Sequence, residues 1–226
     1  MTTKTVLRDV PWLDTKVLAA GLLQIGAVEV RPQEPFTWTS GWKAPIYCDN
    51  RLVLGSPFLR KWVAQAMAAV VEHDMPEIDL IAGTATAGIP HAAWVADLLN
   101  LPMVYVRGSV KGHGKKRRIE GNFNSGLRTL VVEDTLSTGN SAFEAVEALR
   151  EEGLLPVAVC VIFSYDFSVA SERANKANLP VYRLLDYNTL IRYAIQSGAV
   201  SDEYQETLLQ WRSHPERWGQ MDGFLD

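Results

Sequence analysis

Cysteine is nearly absent: Cys48 and Cys160 are the only two in 226 residues. Both sit in apolar, strand-like runs, and their separation makes neither a metal-binding nor a thiol redox motif, so a reducing cytosol suits the chain. Long apolar runs are missing too. None approaches the ~18 residues needed to span a bilayer, and the N-terminus has no charged stretch followed by an apolar one. A soluble, cytoplasmic protein with no membrane partner is the expectation. Excess positive charge is also lacking: 22 Lys and Arg against 26 Asp and Glu give a net charge of −4. That is the wrong sign for a general nucleic-acid binder, so small molecules are the expected partners. Histidines number four, and their spacing suggests no structural metal. His73 and His214 fall near expected helix ends, and His91 opens or packs a helix.

What is present is an alternation of strand and helix patterns. The length suits one domain with embellishments, at the usual scale of ~100–200 residues per domain. Apolar positions at helical spacing mark 12–25 as an N-terminal helix. Short alternating pieces at 28–30, 36–38 and 45–48, punctuated by Pro32, Pro35 and Gly41, read as a small β-rich flap. Ser56-Pro57 caps and opens the next helix. Strands then fall at 79–84, 103–107, 128–134, 156–163 and 181–185, and helices at 89–100, 139–152 and 169–177. Residues 187–218 read as one or two outer helices. Strands separated by helices of this length require right-handed crossovers, hence an α/β fold with a doubly wound, mostly parallel sheet. The expected division is 1–55 (N-terminal helix and flap), 56–186 (core) and 187–226 (C-terminal helices), all within a single domain.

The stretch 130–141 is the richest in chemistry. Leu130, Val131 and Val132 form a run of the kind buried on both faces of a parallel sheet, so Glu133 and Asp134 emerge at the carboxyl end, where open α/β sheets bind ligands. The turn Thr135, Leu136, Ser137, Thr138, Gly139, Asn140, Ser141 feeds a helix, with Ser141 and Glu144 spaced as a capping box and Gly153 as a stop. A helix N-terminus with free N–H groups, hydroxyl donors and a glycine favours a bound phosphate. Two adjacent acids suit ribose hydroxyls or a hydrated Mg²⁺. An ordinary strand-to-helix turn would have less reason to gather so many hydroxyls. The longest non-periodic segment, 108–125, follows a strand, and with Arg107 it carries Lys111, His113, Lys115, Lys116, Arg117 and Arg118 among glycines. Such a loop is commonly a lid. The run 115–118 reads as a solvated face.

The acid-and-hydroxyl segment resembles the PRPP-binding motif of the type I phosphoribosyltransferases. Within that family, Arg107-x-x-x-Lys111-Gly-His113-Gly with downstream Ile119-Glu120-Gly121 resembles the catalytic loop of the orotate phosphoribosyltransferases. Thr84-Ala85-Thr86-Ala87-Gly88 resembles their pyrophosphate loop, and Phe36-Thr37-Trp38-Thr39-Ser40-Gly41 their orotate-side segment. The resemblance implies a type I phosphoribosyltransferase-like fold and Mg²⁺-dependent formation of orotidine 5′-monophosphate and pyrophosphate from orotate and PRPP. It implies that Glu133 and Asp134 hold the ribose hydroxyls and that residues 135–141 wrap the 5′-phosphate. Arg107, Lys111, His113 and Asp134 are the implied catalytic residues, Mg²⁺ arrives with PRPP, and Ser137 contacts orotate. It also implies a homodimer in which loop 108–125 completes the neighbouring site. Trp38 and Trp42 are divided evenly between roofing the base and packing the core.

Three positions depart from many relatives, which carry lysine where this chain has Thr39, Ala87 and Gly108. Lys43 and the 115–118 run are the candidates to compensate. An arginine that commonly follows the 156–163 strand is replaced by Phe163-Ser164-Tyr165-Asp166. Two rival functions share the cradle: a purine or uracil phosphoribosyltransferase, which should lack the Lys111–His113 loop, and a PRPP-sensing regulator without turnover.

Overall fold

A computed structural model of the chain describes residues 7–38, 41–108 and 118–218. The elements run in order: β1 (Leu7–Arg8), α1 (Thr15–Gln24), β2 (Val28–Val30), β3 (Phe36–Thr37), β4 (Lys43–Ala44), β5 (Ile46–Cys48), a 3-10 helix (Asn50–Gly55), α2 (Pro57–Asp74), β6 (Leu80–Thr84), α3 (Gly88–Leu99), β7 (Met103–Val106) and β8 (Ile119–Glu120). The second half contains β9 (Arg128–Leu136), α4 (Asn140–Glu151), β10 (Leu155–Ser164), α5 (Ser168–Ala177), β11 (Val181–Asp186), α6 (Tyr187–Gln196), a 3-10 turn (Asp202–Tyr204) and α7 (Gln205–Ser213).

Seven strands form one sheet in the order β1-β11-β10-β9-β6-β7-β8. Every pairing in it is parallel except β7 with β8. The central strands are apolar throughout because both faces are covered. Leu130, Val132, Cys160 and Ile162 face one buried cluster, shared with Val63 of α2, Val95 of α3, Leu190 of α6 and Trp211 of α7. Val131, Val159 and Val161 face the other, shared with Val146 of α4 and Ala174 of α5. Successive side chains thus alternate between two cores. The expected doubly wound α/β architecture is what forms.

Several boundaries differ from the sequence reading. β1 and β8 carry two residues each, too few to show a period, and both form by pairing along exposed edges: β1 on β11, β8 on β7. The described part of the 108–125 segment is therefore not structureless, since β8 lies within it. β9 runs two residues past Asp134 to Leu136. The flap is two small antiparallel pairs, β2 with β5 and β3 with β4. The proposed capping box is not formed: α4 starts at Asn140 after Gly139 (φ 81°), so Ser141 lies too deep to cap, and no side chain caps that terminus. Glu144 instead faces Arg118, 3.7 Å away. At α2 the cap forms as expected, with Ser56 Oγ accepting from the Leu59 N–H at 3.4 Å and Pro57 in the first turn.

Close approach of α3 to β6 positions the loop between them. At Gly83 an added Cβ would stand 2.9 Å from Ala92 Cβ, 3.0 Å from Ile89 Cα and 3.2 Å from Gly88 O. Two of these neighbours are backbone atoms, which do not yield cheaply. Gly83→Ala should therefore destabilise the fold by about 1–3 kcal/mol, the usual cost of overpacking, read from urea unfolding. At Gly55 an added Cβ meets nothing within 4 Å, so Gly55→Ala should leave the midpoint nearly unchanged.

Candidate active site

Two strand ends meet at the centre of the sheet. β6 delivers the segment 84–88, and β9, its immediate neighbour, delivers the acid pair. Gly88 is what lets them touch. A Cβ there would lie 2.5 Å from both Thr84 Oγ1 and Val132 O, and 3.4 Å from Glu133 Cα. The buried Thr84 hydroxyl donates to Val132 O at 3.2 Å, tying the loop to the strand that carries the acids. The Ala85–Thr86 peptide is cis, and the Ala85 N–H donates to Val106 O at 2.8 Å. Small residues thus let the start of α3 pack directly beside Glu133.

The two acids differ. Glu133 is 6% exposed, and its Oε1 accepts from the Asp134 N–H at 3.0 Å. Burial pushes its carboxyl up to about 8, aided by the side-chain hydrogen bond and charge of Asp134 and opposed by the N–H donor. Glu133 is therefore mainly protonated at neutral pH in the free protein. Asp134 is half-buried; its Oδ2 accepts from Thr135 Oγ1 at 3.3 Å. One side chain of the pair can donate to a sugar hydroxyl while the other accepts.

Beyond the acids the turn folds back. Leu136 is fully buried in the core, so its side chain takes no part in a cradle, and its carbonyl accepts from the Tyr165 N–H at 3.0 Å. Ser137 Oγ accepts from the Thr138 N–H at 2.6 Å, and Gly139 turns the chain into α4. Asn140 and Ser141 open that helix, which no side chain caps, so its first N–H groups and positive dipole end face the turn.

Arg107 follows β7 and is exposed, paired with Glu120 at 3.2 Å, while its N–H donates to Arg118 O. Lys111 and His113 lie outside the described residues, as do Thr39, Ser40 and residues 115–117. Lys43 donates to Thr37 Oγ1 at 2.8 Å across the flap. Trp38 and Trp42 stack on each other at 6.5 Å and meet Phe167; Trp38 also meets Tyr165 and Trp211. Both pack against the main core, as the core half of their divided reading held. His91 is fully buried in α3, edge-on to Trp94, and burial pulls its pKa down to about 4 against the pull of Asp134. It packs the helix as a neutral imidazole. His73 contacts Asp74 at the exposed end of α2, and His214 ends α7.

Sequence reasoning overlooked Asn50. It is fully buried, and its Nδ2 donates to Asp134 O at 3.0 Å and to Thr135 Oγ1 at 2.9 Å. Its only signal was a polar stretch, Asp49-Asn50-Arg51, after an apolar strand. Arg212 of α7 reaches the Asp166 carbonyl at 3.3 Å, at the end of β10. Among the described residues no group of three or more His, Cys, Asp or Glu could hold a metal ion.

Comparison with known proteins agrees with this geometry. The phosphoribosyl transferase domain family matches residues 57–181, from the start of α2 to the start of β11. An orotate phosphoribosyltransferase of Bacillus caldolyticus is 53% identical over 202 residues, covering 89% of this chain and 98% of that one. Another, from Listeria monocytogenes serovar 1/2a, is 48% identical over 204 residues, covering 90% and 98%. The crystal structure of orotate phosphoribosyltransferase from Aeropyrum pernix superposes with a TM-score of 0.71 at 28% identity, covering 81% of this chain and 99% of that one. Sheet order, acid pair and full-length similarity agree, and the chain belongs to the orotate phosphoribosyltransferases of the type I phosphoribosyltransferase family.

Proposed function

We propose that the chain catalyses transfer of the 5-phosphoribosyl group from PRPP to orotate in the cytosol, releasing pyrophosphate and forming orotidine 5′-monophosphate. The observation that carries this reading is the junction of the 84–88 loop, the Glu133–Asp134 pair and the uncapped start of α4 at adjacent strand ends. Glu133 and Asp134 take the ribose hydroxyls, and the turn through Ser141 takes the 5′-phosphate. Backbone N–H groups of the 84–88 loop take the pyrophosphate. Ser137 contacts orotate.

Cleavage of the C1–pyrophosphate bond develops positive charge on the ribose and negative charge on the leaving group, so positioning and fixed electrostatics carry the rate. Arg107, Lys111 and His113 neutralise the leaving charge. Loop 108–125 closes over the site, expelling water, and in a homodimer it reaches the neighbouring subunit's site. Mg²⁺ fits this donor set as a companion of the substrate. Bound with the substrate beside Glu133 and Asp134, it would supply charge neutralisation on the leaving group.

The first test is the loss of orotate absorbance on adding protein, PRPP and Mg²⁺, with uracil and hypoxanthine in parallel. Loss with orotate alone supports the reading. Loss with another base points to a different phosphoribosyltransferase, and silence with all three alongside tight PRPP binding points to a regulator. Lys111→Ala should reduce turnover far more than stability; a rate within about threefold of wild type, roughly 0.7 kcal/mol of barrier, would remove Lys111 from catalysis.

Glu133 also sets a pH dependence. Its carboxyl is raised from 4.5 to about 8 in the folded protein, so between those values the folded state binds more protons than the unfolded one. Stability from this group is therefore full below about pH 4.5 and lost as pH rises through about 8. His91 runs the other way, since a pKa lowered from 6.5 to about 4 costs stability as pH falls below 6.5. Comparing wild type with Glu133→Gln isolates the first effect. The variant should gain stability relative to wild type between pH 5.5 and pH 8.5 in ligand-free urea unfolding; a constant difference would show that Glu133 is ionised throughout.

A further inference from the structure

We infer that Asn50 is a positioning residue for PRPP: it orients the Thr135 hydroxyl and, through it, the Asp134 carboxylate. The inference rests on the reading of Glu133–Ser141 as the PRPP cradle. Asn50 opens the 3-10 helix after β5, far from β9 in sequence, and is fully buried against it. Its amide nitrogen has two protons and spends them on two neighbouring groups of the cradle, Asp134 O at 3.0 Å and Thr135 Oγ1 at 2.9 Å. Its oxygen faces the Cys48 thiol at 3.5 Å. An amide in this orientation has each end matched to its neighbours.

The consequence lies in the Thr135 proton. A hydroxyl has one proton and accepts through its lone pairs. Because Asn50 donates to Thr135 Oγ1, the Thr135 proton is directed elsewhere, and the acceptor in reach is Asp134 Oδ2 at 3.3 Å. The order is therefore Asn50 N–H to Thr135 Oγ1 and Thr135 O–H to Asp134 Oδ2, which restrains the carboxylate's rotamer. The same amide holds the Asp134 backbone in place. On the other side, the Cys48 N–H donates to the Tyr165 hydroxyl at 3.2 Å, and the Tyr165 N–H donates to Leu136 O. The cradle is thus suspended between Asn50 and Tyr165, which meet at Cys48. Tyr165 also touches Trp38, at 5.1 Å between ring centres, so the network joins the flap to the acid pair.

The test is a double-mutant cycle read by calorimetric PRPP binding, with steady-state kinetics and thermal melting alongside. Asn50→Ala should raise the PRPP dissociation constant about tenfold, the scale of one hydrogen bond feeding a charged group, while the orotate KM stays within about twofold. Thr135→Val should do the same, the double variant should be little worse than either single one, and Thr135→Ser should retain wild-type affinity. Additive losses, or an unchanged PRPP constant with a lowered melting temperature, would reduce Asn50 to a structural residue and overturn the inference. If Asn50→Ala does not fold, the near-isosteric Asn50→Asp replaces it. That variant removes the donor, so wild-type PRPP affinity in it would overturn the inference equally. Absence of PRPP binding by the wild type would overturn the cradle reading itself, whereas binding unaffected by Asn50 would sink this inference alone.

Discussion

A carboxylic acid that is almost entirely enclosed at the end of a central strand is the constraint around which this site is built. Glu133 lies near the carboxyl end of β9, against the start of α3, and Gly88 permits that approach. An isolated ionised carboxylate there would carry a heavy desolvation cost, so the group keeps its proton and hydrogen-bonds to the next residue. The neighbouring Asp134 is held in addition by Thr135 on its own strand and by Asn50 of the N-terminal segment. Adjacent residues on one strand therefore enter opposite environments, and the difference arises from which element packs over each.

The sheet makes this arrangement possible. Its central strands are covered on both faces, which leaves their carboxyl ends as the place where polar groups can collect. β6 and β9 are neighbours, and α3 and α4 follow them on opposite faces. Two loop-to-helix transitions consequently open side by side, one lined by small residues and the other by hydroxyls. Phosphates at both ends of one ribose require such a pair of openings, because each needs its own set of N–H donors and the sugar must bridge them.

Much of this was legible in the chain, for reasons that differ by region. The apolar triplet 130–132 is unbroken because both faces of β9 are buried, so periodicity located the strand and, with it, the acids. The turn chemistry at Gly139 was visible for the same local reason. The capping box misled because spacing alone does not fix the first helical residue; Gly139 takes the cap position and α4 begins at Asn140, two positions earlier than a Ser141 cap would need. β1 and β8 exist only through their partners and have no local signature. Asn50 escaped notice for that reason too: its importance comes from contacts 84 and 85 residues away, and a lone asparagine after a strand more often makes a turn.

An aromatic cluster ties the periphery of the site together. After β10 the chain stacks Tyr165 on Phe167, with Trp38 edge-on to Tyr165 and Trp211 edge-on to Phe167 and Trp38. The Trp211 indole N–H donates to Lys43 O at 3.0 Å, fastening the C-terminal helix to the flap. Arg212, the next residue, extends to the carbonyl of Asp166, whose carboxylate is paired with Arg183. A guanidinium therefore reaches the end of β10 from α7. The flap, the C-terminal helix and the end of β10 thereby form one packed unit over the sheet. That unit reaches the acid pair through Tyr165, Cys48 and Asn50, so the side of the site nearest the flap and the side that carries Glu133 and Asp134 share a single hydrogen-bonded frame.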